Sequence, residues 1–153
     1  MIECTKEIEA MKETLFSLTQ DYSIRLDWDP FPESYSFING DKIERGLQLK
    51  VVDKARRSMV VEYVSYKPPL VASIRMVSGP WYIKRFAGSW SFKQLDQNKT
   101  KVIFKYNIVS YPEFIGPLIR YVFRKNANKR LSSLKAYVDS KNIRTSNGTK
   151  TVG

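Results

Sequence analysis

Glu62 and Arg75 are oppositely charged residues in two neighbouring segments that otherwise alternate apolar and polar residues. Glu62 shares a period-two phase with Val60 and Val64, and Arg75 shares one with Val71, Ser73 and Val77. In strands, that phase points both side chains to the apolar side of a sheet, as a buried pair. Such a pair is expensive unless well satisfied, which marks it as a candidate functional position. The fixed fork of guanidinium donors suits a carboxylate, phosphate or enolate oxygen, and Arg85 in the next strand-like segment offers the same chemistry. Together with Tyr63 and Tyr106, Glu62 and Arg75 could also move protons, provided that burial brings a group toward working pH. The competing placement for both arginines is simply toward solvent.

Absent residue types narrow the chemistry further. The chain has no histidine. That removes Ser-His-Asp and Cys-His arrangements, the commonest general base at neutral pH and the usual transition-metal ligands. The single cysteine, Cys4, excludes an internal disulfide and a multi-cysteine metal site, and reads as a small strand residue. No metal or cofactor is implied, and no catalytic residue can be assigned. Any reaction would be carried by carboxylates, tyrosines, lysines or arginines.

Aromatic residues supply the other signal. Phe86, Trp90 and Phe92 share one phase of a strand with Gly88 among them, and Val102, Phe104, Tyr106 and Ile108 share a phase in the next. Each strand therefore turns a large aromatic face to one side of a sheet. Large rings interleaved with a small residue form either a solid core or the wall of a hollow. On the second alternative Phe86, Trp90, Phe104 and Tyr106 line a pocket for an apolar molecule. A buried Trp90 would need a partner for its N–H and so could mark a polar spot there. Trp81, beside the Gly79-Pro80 turn, falls at the mouth of such a pocket or in a loop. Ile119 and Phe123 of the following helix would supply the opposite wall.

The elements that position these residues follow in order. A short strand over Thr5 to Ile8 precedes a helix from Ala10 to Asp21, where Met11, Leu15 and Leu18 recur at helical spacing. A second helical turn over Tyr22 to Trp28 is broken by Asp29-Pro30-Phe31-Pro32. About six antiparallel strands come next, with Pro68-Pro69 expected to interrupt their pairing. From Pro117 a long helix carries Ile119, Phe123, Ala127, Leu131, Leu134 and Val138 at three-to-four spacing. The fold class is α+β. One domain spans 1–141, and 142–153, which lacks periodicity, reads as a disordered tail.

The 153 residues carry 26 Lys and Arg against 15 Asp and Glu, a net charge of +11. Such a field favours anionic partners, whether RNA or an acidic membrane surface, and also serves solubility alone. Between Arg120 and Arg144 eight basic residues face Asp139 alone. They scatter around the helix rather than gathering on one side, as expected of a solvated rod. No apolar run approaches the ~18–20 residues needed to span a bilayer. The acidic N-terminal residues do not suit a signal peptide, so a cytoplasmic location is expected.

The element order resembles the START-related helix-grip superfamily. So do Trp28-Asp29-Pro30, the run from Glu62 to Pro69, Gly79-Pro80-Trp81, the run from Phe86 to Phe92 and the basic C-terminal helix. That superfamily includes the polyketide cyclase/dehydrase and lipid-transport group, the coenzyme Q-binding proteins and the birch-pollen allergen family. The resemblance implies a curved antiparallel sheet gripping the C-terminal helix over an elongated cavity. It also implies binding or transport of a hydrophobic small molecule such as a lipid, quinone or polyketide. Glu62, Arg75, Trp81, Phe86, Trp90, Phe104, Tyr106, Ile119 and Phe123 are then the candidate ligand-binding residues. The alternatives are a polyketide cyclase or aromatase, and a basic adaptor touching RNA, the ribosome or anionic membrane.

Overall fold

Strand alternation is resolved into a single seven-stranded antiparallel sheet in a computed structural model. The model describes the backbone of residues 1–152 and the side chains through Lys141. The tail expected over 142–153 lies outside the residues whose side chains are described. The strands are β1 (Ile2–Ile8), β2 (Pro32–Phe37), β3 (Gln48–Asp53), β4 (Ser58–Lys67), β5 (Val71–Ser78), β6 (Ile83–Asp96) and β7 (Lys99–Ser110). Their order across the sheet is β1-β7-β6-β5-β4-β3-β2, so β1 crosses over to pair with the last strand while the others form a meander. Helices α1 (Lys12–Gln20) and α2 (Arg25–Trp28) follow β1, and α3 (Gly116–Val152) follows β7. This is the helix-grip architecture.

The long hairpin of β6 and β7 shows why the sheet needs a cover. Along β7, Thr100, Val102, Phe104, Tyr106, Ile108 and Ser110 are buried, each on the same phase. Trp90 pairs with Phe104, Phe92 with Val102 and Gly88 with Tyr106 across the hairpin. Their shared face is apolar and cannot be left in water. Helix α3 covers it, burying Ala127, Leu131, Leu134 and Val138 in the stripe the spacing predicts and packing on β1, β7 and α2. Helix α1 closes the other end by burying Leu15 and Phe16, and Phe16 meets Phe92 edge-on.

Three expectations are corrected. Pro68-Pro69 does not interrupt pairing; it makes the turn of the β4–β5 hairpin, with Lys67 opposite Val71. Strand β2 begins at Pro32, three residues before Tyr35, where the sequence up to the Asn39-Gly40-Asp41 turn leads one to expect a strand over Tyr35 to Asn39. As the first residue of a strand at the sheet's edge, Pro32 forfeits no ladder bond. The third correction concerns the faces of β4 and β5. Val61, Tyr63 and Ala72 are the buried residues, so Glu62 and Arg75 point to the outside. Both phases of β4 are apolar, Val60 and Val64 against Val61 and Tyr63, so alternation alone does not select a face. Val64 is skipped between the Tyr63–Ile74 and Ser65–Ser73 pairs, which changes the phase again within β4, and Val77 is skipped in the same way on β5.

Candidate ligand cavity

Between the sheet and α3 lies a cavity of about 310 Å³. The sheet contributes Leu49, Val51 and Val61 from β3 and β4, Ala72 and Ile74 from β5, and Phe86, Gly88, Trp90, Phe104 and Tyr106 from β6 and β7. Helix α3 contributes Ile119, Val122, Phe123, Asn126 and Arg130. Rings make one continuous layer: Trp90 stacks on Phe104 at 4.2 Å, Phe104 meets Tyr106 edge-on at 4.4 Å, and Phe123 meets both Phe86 and Tyr106. At Gly88, itself part of the lining, a Cβ would stand in van der Waals contact with the Phe86 and Tyr106 rings at 3.5 Å, so a longer side chain there would have to extend into the cavity.

The cavity reaches solvent beside Leu118 and Val122, lining residues that are largely exposed, with Pro80 and Tyr82 of the β5–β6 turn. Arg57 lies at this rim, bonded to Asp53 at 2.8 Å and donating to the Tyr82 hydroxyl at 3.1 Å.

Its inner end is polar. Asp29, fully buried directly after α2, accepts from Arg25 Nε at 2.8 Å and from Arg130 Nη2 at 2.9 Å on Oδ2. Its Oδ1 accepts from Arg130 Nε at 3.1 Å and the Phe31 amide at 3.0 Å. Arg25 also donates through Nη1 to the Thr19 carbonyl. Both guanidiniums lie over aromatic faces. Arg25 is 5.0 Å from the Trp28 ring and 5.5 Å from Trp90, while Arg130 is 5.0 Å from Phe104 and 5.8 Å from Trp90. Two cations thus stand beside the Trp90 ring.

Phenols complete this end. Tyr22 and Tyr63 share a hydrogen bond of 2.5 Å, and Tyr63 donates to Gln20 Oε1 at 2.7 Å. Gln20 Nε2 donates to Thr19, whose hydroxyl donates to the Phe16 carbonyl. Tyr63's one proton goes to Gln20, so Tyr22 donates to Tyr63 and the chain has a fixed direction. Burial pushes the Tyr35 and Tyr106 hydroxyls up to about 12, against the pull of the nearby arginines, and raises Tyr22 and Tyr63 too. Burial also opposes ionisation of Asp29, but Arg130 and Arg25 outweigh it and hold the carboxyl at about 2. Both guanidiniums stay charged despite desolvation, with the ionised Asp29 carboxylate as their shared counter-ion.

Of the residues singled out from sequence, Phe86, Trp90, Phe104, Tyr106, Ile119 and Phe123 meet on this wall. Glu62, Arg75 and Trp81 do not. Glu62 and Arg75 do form a 2.8 Å pair, but on the outer face, where the Arg75 side chain is 62% exposed. Trp81 is 77% exposed and sits edge-on to Tyr82, so its neighbours line the cavity and it does not. Sequence reasoning missed Arg25, Asp29 and Arg130. Two signals were present: an i,i+4 Arg-Asp spacing before Pro30, and a charge at position 130, on the apolar stripe between Ala127 and Leu134.

Residues 2–139 match the family model described as polyketide cyclase / dehydrase and lipid transport. The chain belongs to this family. Solved structures share the family's fold at low identity. A START superfamily protein from Mycobacterium smegmatis superposes with a TM-score of 0.79 at 14% identity, covering 91% of this chain and 97% of its own. The Zhui aromatase/cyclase from Streptomyces sp. R1128 gives 0.77 at 14% identity, with 90% and 92% covered. Norcoclaurine synthase from Thalictrum flavum, solved with dopamine and hydroxybenzaldehyde, gives 0.72 at 11% identity, with 91% and 86% covered. No curated protein matches this chain in sequence. Among the described residues of this family member, no helix is long and apolar enough to cross a membrane.

Proposed function

We propose that this chain binds and carries a hydrophobic small molecule in the cavity between its sheet and α3. The observation that carries the reading is an enclosed space of about 310 Å³, walled by aromatic and aliphatic side chains and open to solvent beside Leu118. Burial of apolar ligand surface contributes ~25 cal/mol per Å², so a body of modest size suffices for binding without any reaction. The family's description, which includes lipid transport, agrees with this.

The test is uptake of Nile red, a neutral apolar dye. Wild type should bind it, and Gly88→Leu, whose side chain projects into the space beside Phe86 and Tyr106, should weaken binding by about tenfold or more while Gly88→Ala stays close to wild type. Dye binding that is absent in wild type, or indifferent to Gly88→Leu in a folded protein, would end the reading.

A cyclase of the aromatase kind is the second reading, favoured by the directed Tyr22–Tyr63–Gln20 chain and the paired cations, which could hold an enolate oxygen. Weighing against it, burial and charge drive Asp29 down and the four phenols up, away from the neutral range in which a general acid or base works best. Incubation with a linear poly-β-ketone thioester separates the two: a carrier returns the same product mixture as buffer, and a cyclase shifts it toward one aromatic ring system.

A further inference from the structure

We propose that the inner end of the cavity is a binding site for a single carboxylate, so that the molecule carried is an amphipathic organic acid held head-first against Arg25 and Arg130. This rests on the cavity-binding reading and names the ligand class for it.

The inference starts from a charge count. Arg25, Asp29 and Arg130 have side chains only 5%, 0% and 11% exposed, and two cations meet one anion. Other groups at this end do not cancel the surplus. Gln20 is neutral, and Tyr22, Tyr35, Tyr63 and Tyr106 have hydroxyls that burial keeps protonated. At the rim, Asp53 is already occupied by Arg57. Nor can Asp29 serve both cations fully. Its two oxygens accept from Arg25 Nε, Arg130 Nε and Nη2 and the Phe31 amide, which fills the roughly four lone-pair positions of a carboxylate. A buried cation lacking its counter-ion is costly. One further anion placed in the cavity beside these guanidiniums would balance the site.

The surplus of one also chooses among anions. A carboxylate brings one charge and a planar pair of oxygens matched to the guanidinium fork. A phosphate monoester, with close to two charges near neutral pH, would overshoot. Beyond the head the lining is mainly aromatic and aliphatic, with Asn126 and the rim groups Asp53, Arg57 and Ser58 as its other polar contacts, so the rest of the molecule is predominantly apolar. Arg130 also borders a second, more polar cleft of about 250 Å³ lined by Lys54, Arg57 and Lys129. With Asp53 as its one acidic lining residue, that cleft still gives the acid a net basic approach, and it is also the route by which water alone could satisfy Arg130.

Matched ligands decide between acid and water. Decanoate and decanol, equal in chain length, are titrated against Nile red bound to the full-length protein at pH 7. Wild type should prefer the acid by about tenfold or more, the worth of one charge-assisted hydrogen-bonded contact. In Arg130→Met the acid-to-alcohol ratio should fall toward one. Because that variant could fail to fold, the wild-type preference is also measured from low to about 0.5 M salt, where a pairing inside the cavity changes little and attraction by the basic surface collapses. Equal affinity for acid and alcohol overturns the proposal and leaves the carrier reading intact. A preference that survives in Arg130→Met, or one that salt abolishes, assigns it to the surface and likewise overturns it. Failure of Nile red itself to bind removes both readings.

Discussion

Glu62–Arg75 and Arg25–Asp29–Arg130 use the same groups at the same 2.8 Å closest approach, yet they occupy opposite sides of one protein. The first bridges β4 and β5 on the outer face, where water solvates and screens both charges and the pair is worth little. The second is shut between α2, α3 and the aromatic wall, where the three charges have given up most of their water and two cations share one carboxylate. Distance does not separate them; enclosure does. The outer pair is balanced one to one, whereas the inner cluster carries one cation more than its carboxylate can satisfy.

The sharpest way to break this contrast is Asp29→Asn. It leaves two enclosed guanidiniums facing each other without their shared anion, and should cost about 3–5 kcal/mol in denaturant unfolding. A loss below about 1 kcal/mol would mean that the inner cluster is as well hydrated as the outer pair.

Acid titration of stability gives a smaller effect. The Asp29 carboxyl titrates at about 2 in the fold against an ordinary 3.8. Its contribution is therefore complete above about pH 4 and is lost as pH falls toward 2. That difference in pKa corresponds to about 2.5 kcal/mol. A stability curve flat from pH 5 to about pH 2 would contradict this. Smallest of all, Arg75→Gln should leave Tm and Nile red uptake unchanged within error, because the outer pair touches neither the core nor the cavity. A clear loss of uptake in that variant would restore Arg75 to the site from which its outward orientation removes it.

Much of the fold was legible because periodicity is a direct trace of burial. The aromatic phases of β6 and β7 and the α3 stripe from Ile119 to Val138 appear in the structure where their spacing puts them, and six of the nine candidate ligand residues line the cavity. The failures are equally physical. For β4, Val60-Val61 and Tyr63-Val64 make both faces apolar, so the phase containing Glu62 looked inward. Burial of Val61 and Tyr63 in the core fixed the opposite choice.

Arg130 illustrates the other kind of failure. Among eight basic residues on one helix it looks like one more solvated cation, and its role depends on Asp29, a residue 101 positions away that α2 and the Asp29-Pro30 turn deliver to the same spot. Sequence by itself determined the secondary elements, the aromatic face and the exclusion of histidine chemistry, because these depend on residue type and local spacing. Only the tertiary structure decided which charges are enclosed and left a hollow beside them, because desolvation is a property of how distant segments pack.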